Sequence, residues 1–483
     1  MSDAMHGRAR IDGAWCNADS GAVVDVLDPA DDRLVGTVPA CGPDETLRAI
    51  DAASRAFEPW ASRSARDRAA LLRRLADLMR RDADDLAQLM TREQGKPLVE
   101  ARGEVEYAAS FFDVAAEIAP HRSGAIVPAA AEGRRILVTH EPVGVVAIVT
   151  PWNFPLAMIA RKAAPALAAG CTIVVKPDER TPLSAVALVE RIEEAGFPPG
   201  TVGLVTGPPG PIGEAMLGDP RVRALSFTGS TDVGRLLMRG ASRQLVRVSL
   251  ELGGHAPFLV FEDADLEHAA AAAIACKFRN AGQTCICANR FLVAESIADE
   301  FLARLAAAME GLRCGRGCEP GTSVGPLIDD AAVAKVERHV ADAVARGGRL
   351  LCGGERVALA DLADRFYAPT LIDGLDDSMV MWREETFGPV AAVRRFRNES
   401  EAIAMANDTE YGLAAYFFTR DADRLIRVAE ALRYGIVGAN DAVPSCAEAP
   451  FGGVKQSGFG REGGPWAFEE FTNVKYVSWR LGR

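Results

Sequence analysis

Two short apolar runs, VGVVAIVT at Val143–Thr150 and CTIVVK at Cys171–Lys176, decide the fold class of this chain. Each run is rich in Val or Ile and is bounded by Gly or Pro, which is typical of a buried β-strand. Helical pattern fills the gaps between such runs, as at Leu183–Ala195. Further runs of this kind follow at Val202–Thr206, Ala224–Phe227 and Val246–Leu252. The alternation predicts βαβ units and a mostly parallel sheet.

A second set of strands is predicted farther along the chain. Its members are Phe258–Phe261, Arg290–Ala294, Ala391–Phe396, Tyr416–Thr419 and Gly435–Gly438. Two α/β domains in series account for both sets, with a boundary near Glu251–Pro257, where two glycines and a proline interrupt the strand pattern. Before the first set, Glu45–Trp60 and Arg66–Arg92 carry apolar residues every three or four positions, which predicts two amphipathic helices.

Length and charge exclude several classes of function. The chain has 483 residues, of which 49% are hydrophobic and 25% charged, and its formal net charge is −12. This length suits two or three domains, and the acidic charge argues against a nucleic-acid partner or an anionic membrane surface. Met1–Asn17 lacks the apolar core of a signal peptide, and the alanine-rich stretch His268–Cys276 is too short to span a membrane. We therefore predict a cytoplasmic protein.

The cysteines and histidines do not suggest a disulfide framework or a metal site. Ten cysteines are scattered from Cys16 to Cys446, and six histidines never fall at metal-ligand spacing. Cys314 and Cys318 form a local pair in a Gly/Arg loop, but no second Cys or His pair lies near them in the sequence. We predict no metal site.

The stretch FRNAGQTCIC at Phe278–Cys287 places Cys285 on a glycine-containing turn without bulky neighbours on its approach. A thiolate is the strongest common side-chain nucleophile, and it needs an open, polarising setting to ionise near neutral pH. A cysteine in a loop is more often a small apolar filler. Taken alone, the turn leaves both interpretations of Cys285 open.

Two polar residues stand at the predicted ends of strands. Glu251, in SLELGG (Ser249–Gly254), ends a buried strand, where it is either a helix cap or a general base whose pKa burial raises. Asn153, in TPWNFP (Thr150–Pro155), either satisfies its own turn or points its amide into the cleft at the carboxyl end of the sheet. Ligands of α/β proteins bind in that cleft.

Two segments have the character of a nucleotide site. KPDE at Lys176–Glu179 follows a strand and offers a cation and a carboxylate beside the predicted crevice. FTGSTDVG at Phe227–Gly234 is a strand, then Gly229 and Ser230, then the start of a helix, whose backbone N–H groups suit a phosphate. Neither segment contains GxGxxG, so a search for the standard dinucleotide fingerprint would miss this chain.

Seven motifs follow one another along the chain: TPWNFP, KPDE, FTGS, ELGG, GQTC, EETFGP at Glu384–Pro389 and PFGG at Pro450–Gly453. In this order and spacing the chain resembles the aldehyde dehydrogenase superfamily over nearly its whole length. FRNAGQTC, SFTGSTDVGR, NDTEYGLAAYFFTRD and PFGGVKQSGFGREG are most similar to its succinate-semialdehyde dehydrogenase branch. The resemblance implies an α/β fold with two Rossmann-like parallel-sheet domains plus a small β oligomerisation arm.

The resemblance also implies how the chain is divided. Residues 1–121 and 142–252 are expected to form a cofactor-binding domain and residues 253–445 a catalytic domain. Residues 122–141 and 446–483 are expected to form the oligomerisation arm and the C-terminal segment. The arm strands are predicted within Arg122–Thr139 and at Val474–Trp479. An arm of this kind implies a homodimer or a homotetramer.

By the same resemblance, Cys285 is the nucleophile and Glu251 the general base. Asn153 and the backbone N–H of Cys285 hold the oxyanion, and Lys162 lies beside the active site. Thiolate attack gives a thiohemiacetal, a hydride leaves to the nicotinamide, and a water activated by Glu251 cleaves the thioester. The presence of Glu251 argues against a CoA-acylating relative, and the presence of all three reacting groups argues against a non-catalytic one.

The implied cofactor is NAD, with NADP as the alternative. The residues expected to contact its adenosine ribose, pyrophosphate and nicotinamide end are Trp152, Lys176, Glu179, Gly229, Ser230, Glu385 and Phe387. A carboxylate at Glu179 accepts hydrogen bonds from a 2′-hydroxyl and repels a 2′-phosphate, which favours NAD. Arg180 next to it weakens this preference because it would partly neutralise a phosphate.

The implied substrate is a small aldehyde with a distal carboxylate. Arg161, on the helix after PWNFP, and Arg279, six residues before the nucleophile, match arginines that bind the carboxylate in this branch. Ser445 is their expected hydroxyl partner. Paired, charge-assisted hydrogen bonds are the physical reason to use arginine. Succinate semialdehyde is the predicted substrate, and glutarate semialdehyde or 2-oxoglutarate semialdehyde is the alternative.

Three positions need a separate interpretation. His255 stands where the family more often has asparagine after ELGG. The segment AVPSCAEA at Ala442–Ala449, around Ser445, differs from the sequence that is usual in the branch. Cys287 stands two residues after the nucleophile. It is either a small buried side chain or a resolving thiol that forms a reducible disulfide with Cys285 under oxidant.

Overall fold

The structure is a computed structural model that describes residues 5–481. The helices of this part are α1 Pro43–Ala61, α2 Ala65–Arg81, α3 Ala83–Gln94, α4 Leu98–Ile118, α5 Ala157–Ala169, α6 Leu183–Ala195, α7 Pro209–Gly218, α8 Thr231–Ala241, α9 Leu266–Lys277, α10 Ala298–Met309, α11 Asp330–Ala345, α12 Val380–Arg383, α13 Glu399–Asn407 and α14 Ala422–Ala431. The strands are β1 Met5–His6, β2 Ala9–Ile11, β3 Ala14–Cys16, β4 Val23–Leu27, β5 Leu34–Pro39, β6 Ala125–Val127, β7 Arg134–Pro142, β8 Val145–Val149, β9 Thr172–Lys176, β10 Val202–Leu204, β11 Val222–Thr228, β12 Arg247–Glu251, β13 Ala256–Val260, β14 Ala288–Ala294, β15 Arg349–Cys352, β16 Thr370–Asp373, β17 Val390–Phe396, β18 Ala414–Phe418, β19 Ile436–Ala439, β20 Gly458–Phe459 and β21 Thr472–Arg480. No helix within the described range is both long and apolar enough to cross a membrane.

Eight strands form the first large sheet, in the order β20-β12-β11-β8-β9-β10-β2-β3. The strands from β12 to β10 in this order are parallel, and antiparallel strands extend the sheet at both edges. All five residues of β9 are buried, as are the first four of β8. A strand that is covered on both faces needs a nearly continuous apolar sequence, which is why these runs could be recognised. The predicted parallel sheet is confirmed.

Seven strands form the second large sheet, in the order β15-β16-β17-β14-β13-β18-β19. All its pairs are parallel except β15 with β16. Residues 252–255 alone separate the last long strand of the first sheet, β12, from β13 in the second. The chain therefore passes between the sheets within the predicted boundary Glu251–Pro257. The α/β fold with two parallel sheets is confirmed, while the residue ranges assigned to each domain stay a prediction.

A separate three-stranded sheet contains the predicted arm strands. In it β7 pairs antiparallel with β21, from Pro142 opposite Thr472 to Arg134 opposite Arg480, and with β6 on its other side. Strand β7 ends one residue beyond the predicted limit of the arm at residue 141. A further small sheet, in the order β1-β5-β4, lies near the N-terminus.

The prediction of one continuous helix over Arg66–Arg92 is wrong. Helix α2 ends at Arg81 and α3 begins at Ala83. Between them Asp82 has φ −102° and ψ 22°, and its carboxylate accepts hydrogen bonds from Arg81 Nε at 2.7 Å and Arg191 Nε at 2.9 Å. Asp82 at the break thus contacts a residue of α6 that lies 109 positions away in the sequence.

Candidate active site

The loop that carries Cys285 has an uncommon backbone conformation. After α9, Asn280 (φ 51°), Ala281 (φ 54°) and Gly282 (φ 74°) are all left-handed, which costs energy for residues with a Cβ. A Cβ on Gly282 would lie 2.1 Å from the backbone oxygen of Gly388, so glycine is needed for the loop to pack against the EETFGP segment. This packing holds the cysteine loop at a fixed place between the two sheets.

Two cavities meet at Cys285. The larger one, called the crevice below, has a volume of about 540 Å³, and the smaller one, called the second cavity, has about 300 Å³. Cys285 lines both of them. The predicted residues that line the crevice are Trp152, Asn153, Gly229, Ser230, Glu385 and Phe387. The predicted residues that line the second cavity are Arg161, Arg279 and Ser445. The fold thus brings most of the predicted site residues together around one sulfur atom.

Five predicted site residues of the described chain lie outside the lining of both cavities: Lys162, Lys176, Glu179, Glu251 and Cys287. Lys176 ends β9, and its Nζ lies 3.0 Å from Glu179 Oε2. The guanidinium of Arg180, next to this ion pair, lies 5.3 Å from the ring centroid of Trp152 in the crevice. The pair therefore adjoins the crevice instead of lining it.

Glu251 ends β12, directly before two residues that line the crevice, Leu252 and Gly253. Its side chain is buried, and neither of its carboxylate oxygens has a hydrogen-bond partner among the described residues. Burial, and then the charge of Glu462, raise the pKa of Glu251 well above its usual value. Because an unsatisfied buried polar group is costly, this carboxyl gains from a water or substrate partner.

The Cys285 thiol is electrostatically disfavoured as a thiolate in the free site. Burial, and then the charge of Glu385, raise its pKa to about 12, while Arg161 acts in the opposite direction. Glu251 also raises the pKa of Cys285, so the two groups lie within electrostatic reach of each other. At neutral pH the sulfur is therefore mostly protonated, and it loses this proton to solvent water before it attacks as a thiolate.

Asn153 lies beside the cysteine loop. Its Nδ2 donates a hydrogen bond to the backbone oxygen of Gln283 at 3.0 Å, and its buried Oδ1 has no partner among the residues described. Lys162 is fully buried on α5. Its Nζ donates a hydrogen bond to Thr228 Oγ1 at 2.6 Å and contacts the carboxylate of Glu462. Asn153 is thus placed to donate toward the reacting centre, whereas Lys162 is placed to influence buried charges.

The crevice has features that fit a dinucleotide. Residues 229–232, at the N-terminus of α8, line it, and Ser230 Oγ caps this helix by accepting a backbone hydrogen bond at 3.3 Å. Backbone N–H groups at a helix N-terminus attract phosphate. Glu385 Oε1 accepts a backbone hydrogen bond at 3.2 Å, and burial raises the pKa of this carboxyl to about 7. The rings of Trp152 and Phe387 are edge-on, with centroids 5.8 Å apart.

The second cavity contains two arginines in different electrostatic settings. The guanidinium of Arg161 lies 3.8 Å from the ring centroid of Phe451, and its Nε lies 2.5 Å from Glu462 Oε2. The guanidinium of Arg279 lies 5.5 Å from the ring centroid of Phe154, and no ion pair forms with it among the described residues. Arg279 therefore has the charge that is most available to an anionic ligand.

The second cavity is also lined by three side chains on one face of α4 that were not predicted, Glu100, Glu104 and Tyr107. Tyr107 Oη lies 2.6 Å from Ser445 Oγ, which fixes the hydroxyl that was predicted to contact substrate. Burial raises the pKa of Glu100 to about 7. The sequence pattern that could have indicated these residues is their spacing of four and three positions, which places their polar groups together on an otherwise apolar face of the helix.

Cys287 and His255 are both buried, and neither lines the crevice or the second cavity. Cys287 Sγ accepts a hydrogen bond from Lys277 Nζ at 3.2 Å, and both interpretations of this cysteine, a packing side chain or a resolving thiol, stay predictions. His255 Nε2 lies 3.0 Å from the backbone oxygen of Trp382, and burial lowers the pKa of this imidazole well below its usual value, so it is neutral. No group of three or more potential metal ligands is found between residues 5 and 481.

Comparisons with known proteins identify the family of this chain. The model of the aldehyde dehydrogenase family matches residues 15–477. Glutarate-semialdehyde dehydrogenase of Pseudomonas putida is 50% identical over 470 residues, which covers 97% of each chain. The NADP(+) succinate-semialdehyde dehydrogenase of Escherichia coli is 49% identical over 476 residues, which covers 99% of this chain and 98% of that protein. The crystal structure of succinate-semialdehyde dehydrogenase from Burkholderia pseudomallei has a TM-score of 0.97 at 51% identity and covers 100% of both chains. This chain therefore belongs to the aldehyde dehydrogenase family.

Proposed function

We propose that this chain oxidises a short aldehyde with a distal carboxylate, succinate semialdehyde, to the corresponding acid with NAD as the cofactor. The observation that carries the proposal is the position of Cys285, where the crevice and the second cavity meet. The crevice is lined by the N-terminus of α8 and by the carboxyl group of Glu385, which fit a nucleotide. The second cavity is lined by Arg161 and Arg279. A cofactor and a carboxylated substrate can therefore reach one sulfur atom from two different cavities.

Each reacting group of the chain has a defined task in this proposal. The Cys285 thiol loses its proton to solvent water, Sγ attacks the aldehyde carbon, and a C–S bond forms as the carbonyl π electrons move onto the oxygen. Asn153 Nδ2 and the backbone N–H of Cys285 stabilise the negative charge on the oxygen. Bound NAD supplies the hydride acceptor. Glu251 takes a proton from the water that attacks the thioester, the C–S bond breaks, and the acid leaves.

The buried charges around Glu251 support its proposed role as the base. Glu462 raises the pKa of Glu251, whereas Arg161 and Lys162 lower it. Lys162 also contacts Glu462 directly, so it acts on the base without touching the substrate. We propose that Lys162 limits the rise of this pKa and thereby keeps the carboxylate accessible in its ionised form.

We propose NAD as the preferred cofactor, bound by Trp152, Lys176, Glu179, Gly229, Ser230, Glu385 and Phe387. We expect the KM for NADP to exceed that for NAD by at least about tenfold, because the Glu179 carboxylate repels a 2′-phosphate. The variant Glu179→Ala should narrow this ratio by about tenfold, measured from initial rates with both cofactors. Glu190→Ala, an exposed position on α6, is the matched control. An unchanged ratio in Glu179→Ala would refute the assignment.

The proposed contacts to the distal carboxylate are Arg279, Arg161 and Ser445. Arg279 is the main proposed contact, because it is the arginine of the second cavity without an ion pair among the described residues. A guanidinium binds a carboxylate through paired, charge-assisted hydrogen bonds. The names of the relatives above refer to succinate and glutarate semialdehydes, which supports a carboxylated substrate. Glutarate semialdehyde or 2-oxoglutarate semialdehyde is the alternative.

A comparison of three aldehydes tests the substrate proposal. We expect kcat/KM for succinate semialdehyde to exceed that for butanal by about 100-fold, because charged hydrogen bonds contribute about 3 kcal/mol. Arg279→Ala should remove most of this difference and leave the rate with butanal unchanged, while Arg304→Ala, on the exposed face of α10, serves as the control. The kcat/KM for glutarate semialdehyde, measured under the same conditions, shows which carbon-chain length of the substrate is preferred. Equal rates with butanal would reject the carboxylate contact and leave aldehyde oxidation standing.

Two other classes of function are alternatives. A CoA-acylating relative passes the thioester to CoA and does not need a base for water, so the buried Glu251 argues against it. A non-catalytic relative does not need Cys285, Glu251 and Asn153 around one site. NADH formation in the absence of CoA would favour hydrolysis over both alternatives.

We further propose that the sheet β21-β7-β6 is a subunit contact of a homodimer or homotetramer. Its strands expose large apolar side chains: Ile126 is 78% exposed, Val474 64%, Tyr476 62% and Trp479 54%. Ile126 and Trp479 lie on one face of this sheet, and Val474 and Tyr476 lie on the other, so both faces expose apolar side chains. A second copy of this chain that packs on one face would remove the side chains of that face from solvent.

A further inference from the structure

Beside Asn153 lies a buried ion pair that the proposed chemistry does not use. Lys96 Nζ contacts Glu104 Oε2, and each side chain is only 1% exposed. Lys96 lies between α3 and α4, and Glu104 lies on α4. Moving two charges out of water is costly unless further hydrogen bonds satisfy them. The additional partners of the pair therefore indicate what it holds in place.

Glu104 holds one end of the segment that follows Asn153. Its Oε1 accepts hydrogen bonds from the backbone N–H groups of Leu156 at 3.0 Å and Ala157 at 3.2 Å. These groups open α5, whose own N-terminal residue provides no side-chain cap. A carboxylate at a helix N-terminus satisfies free N–H groups and interacts favourably with the helix dipole. Glu104 thus replaces a local cap and fixes where α5 begins.

Lys96 holds the other end of this segment. Its Nζ donates to the backbone oxygen of Asn153 at 2.7 Å and lies 4.1 Å from the ring centroid of Phe154. The same oxygen accepts a hydrogen bond from Asn280 Nδ2 at 3.1 Å. Asn280 belongs to the left-handed turn before Cys285. One ion pair therefore contacts both ends of residues 153–157 and shares an acceptor with the cysteine loop.

We propose that Lys96 and Glu104 are positioning residues for the oxyanion site, because they fix the backbone from which the Asn153 amide reaches the Cys285 loop. The inference rests on the proposed role of Asn153. In the free site, Asn153 Nδ2 already points at this loop and donates to Gln283. Stabilisation of a developing charge depends steeply on where the donor lies, so loss of the pair affects turnover more than binding.

The test removes both charges together, because a single substitution would leave an unpaired buried charge. In Lys96→Met/Glu104→Gln the glutamine oxygen can still cap α5, but the donor to Asn153 is lost. Because Glu104 lines the second cavity, the test uses butanal, which has no carboxylate: we expect kcat to fall about tenfold while the KM values for NAD and butanal stay within about twofold. The matched control is Glu93→Gln, a buried glutamate that accepts two backbone hydrogen bonds at the start of α6, at 2.8 and 2.9 Å, and lines neither cavity. This control should leave kcat unchanged.

A double-mutant cycle with Asn153→Ala identifies the route of the effect. If the pair acts through Asn153, adding Lys96→Met/Glu104→Gln to Asn153→Ala should change kcat by less than about twofold, because the amide is already absent. Losses that add in the combined variant would overturn the inference and leave the proposed function intact. No loss in Asn153→Ala alone would refute the proposed oxyanion role and the inference with it.

Alkylation of Cys285 by iodoacetamide adds a measurement that needs no oxyanion. We expect its rate in Lys96→Met/Glu104→Gln to stay within about twofold of the unmodified enzyme, because displacement at carbon puts no charge on a carbonyl oxygen. A larger change would show that the cysteine loop has moved, which would overturn the proposed route. If the double variant does not fold, Lys96→Arg replaces it in the double-mutant cycle with Asn153→Ala, and the expected outcomes are the same. This substitution keeps a buried cation beside Glu104 but shifts the hydrogen-bond donor.

Discussion

Replacing Cys285 with serine should reduce aldehyde-dependent NADH formation by at least about 10⁴-fold while leaving NAD binding in place. A hydroxyl is a far weaker nucleophile than a thiolate, and Met158, which also lines both cavities, offers no group that could replace it. Initial rates measure the loss, and the quenching of tryptophan fluorescence by NAD reports binding through Trp152 in the crevice. The matched control is Cys318→Ser, an exposed cysteine outside both cavities, which should keep full activity. Substantial turnover by Cys285→Ser would reject the proposed nucleophile.

The same thiol should also show its environment in a pH profile. Its pKa is raised from 9.0 to about 12 by burial and then by the charge of Glu385. A thiolate forms as the pH rises through this pKa, so alkylation of the cofactor-free enzyme by iodoacetamide should keep accelerating at pH values above 9.0. A plateau near the usual pKa of a cysteine would contradict the burial argument, even if Cys285→Ser were inactive.

The fold could be predicted from the sequence where a strand is buried on both faces, because such a strand has a nearly continuous apolar sequence. Strands β8 and β9 are covered on both faces, so their apolar runs are nearly continuous and stand out from the flanking helices. The break between α2 and α3 could not be predicted in the same way. The apolar spacing continues across Asp82, and one residue that contacts Asp82 at the break, Arg191, comes from α6. Local periodicity contains no information on such a distant partner.

The site could be predicted where its residues follow strands. Asn153 comes soon after β8 and Glu251 ends β12, and the carboxyl ends of parallel strands meet at one edge of a sheet. Glu100 and Tyr107 were missed because they come from α4, where the sequence shows a helix face but not what that face meets. The ion pair between Lys162 and Glu462 joins residues 300 positions apart, and no local pattern indicates it.

Arg161 illustrates how the structure refines a prediction made from a motif position. Its place in the second cavity agrees with the predicted contact to a carboxylate. Its charge, however, already faces Glu462, so an anionic substrate would have to compete with that carboxylate. Arg279 forms no ion pair among the described residues, and the carboxyl within electrostatic reach of it, Glu100, accepts a backbone hydrogen bond from Asn280 and has a pKa that burial raises to about 7. The two arginines are therefore unequal, and the larger loss on substitution is expected at Arg279.

Replacing Glu251 with glutamine should stall the reaction after its first half. Cys285 and Asn153 remain in place, so hydride transfer proceeds once and leaves a thioester on the sulfur. Without a base for water, the thioester is not hydrolysed, and steady-state turnover should fall by about 10²–10⁴-fold. Rapid mixing should then show a burst of about one NADH per active site before the slow phase, and mass spectrometry should find the acyl group on Cys285.

The pH dependence separates a base from a structural carboxyl. Burial and the charge of Glu462 raise the pKa of Glu251, and only its ionised form accepts a proton, so steady-state turnover should fall as the pH drops through that raised pKa. The burst does not require this base, so its amplitude should persist at the lower pH, and the acidic limb should vanish in Glu251→Gln. Glu93→Gln, a buried glutamate whose pKa burial raises to about 7, should keep the complete profile. Full steady-state activity of Glu251→Gln, or an acidic limb that survives the substitution, would assign the proton transfer to another group.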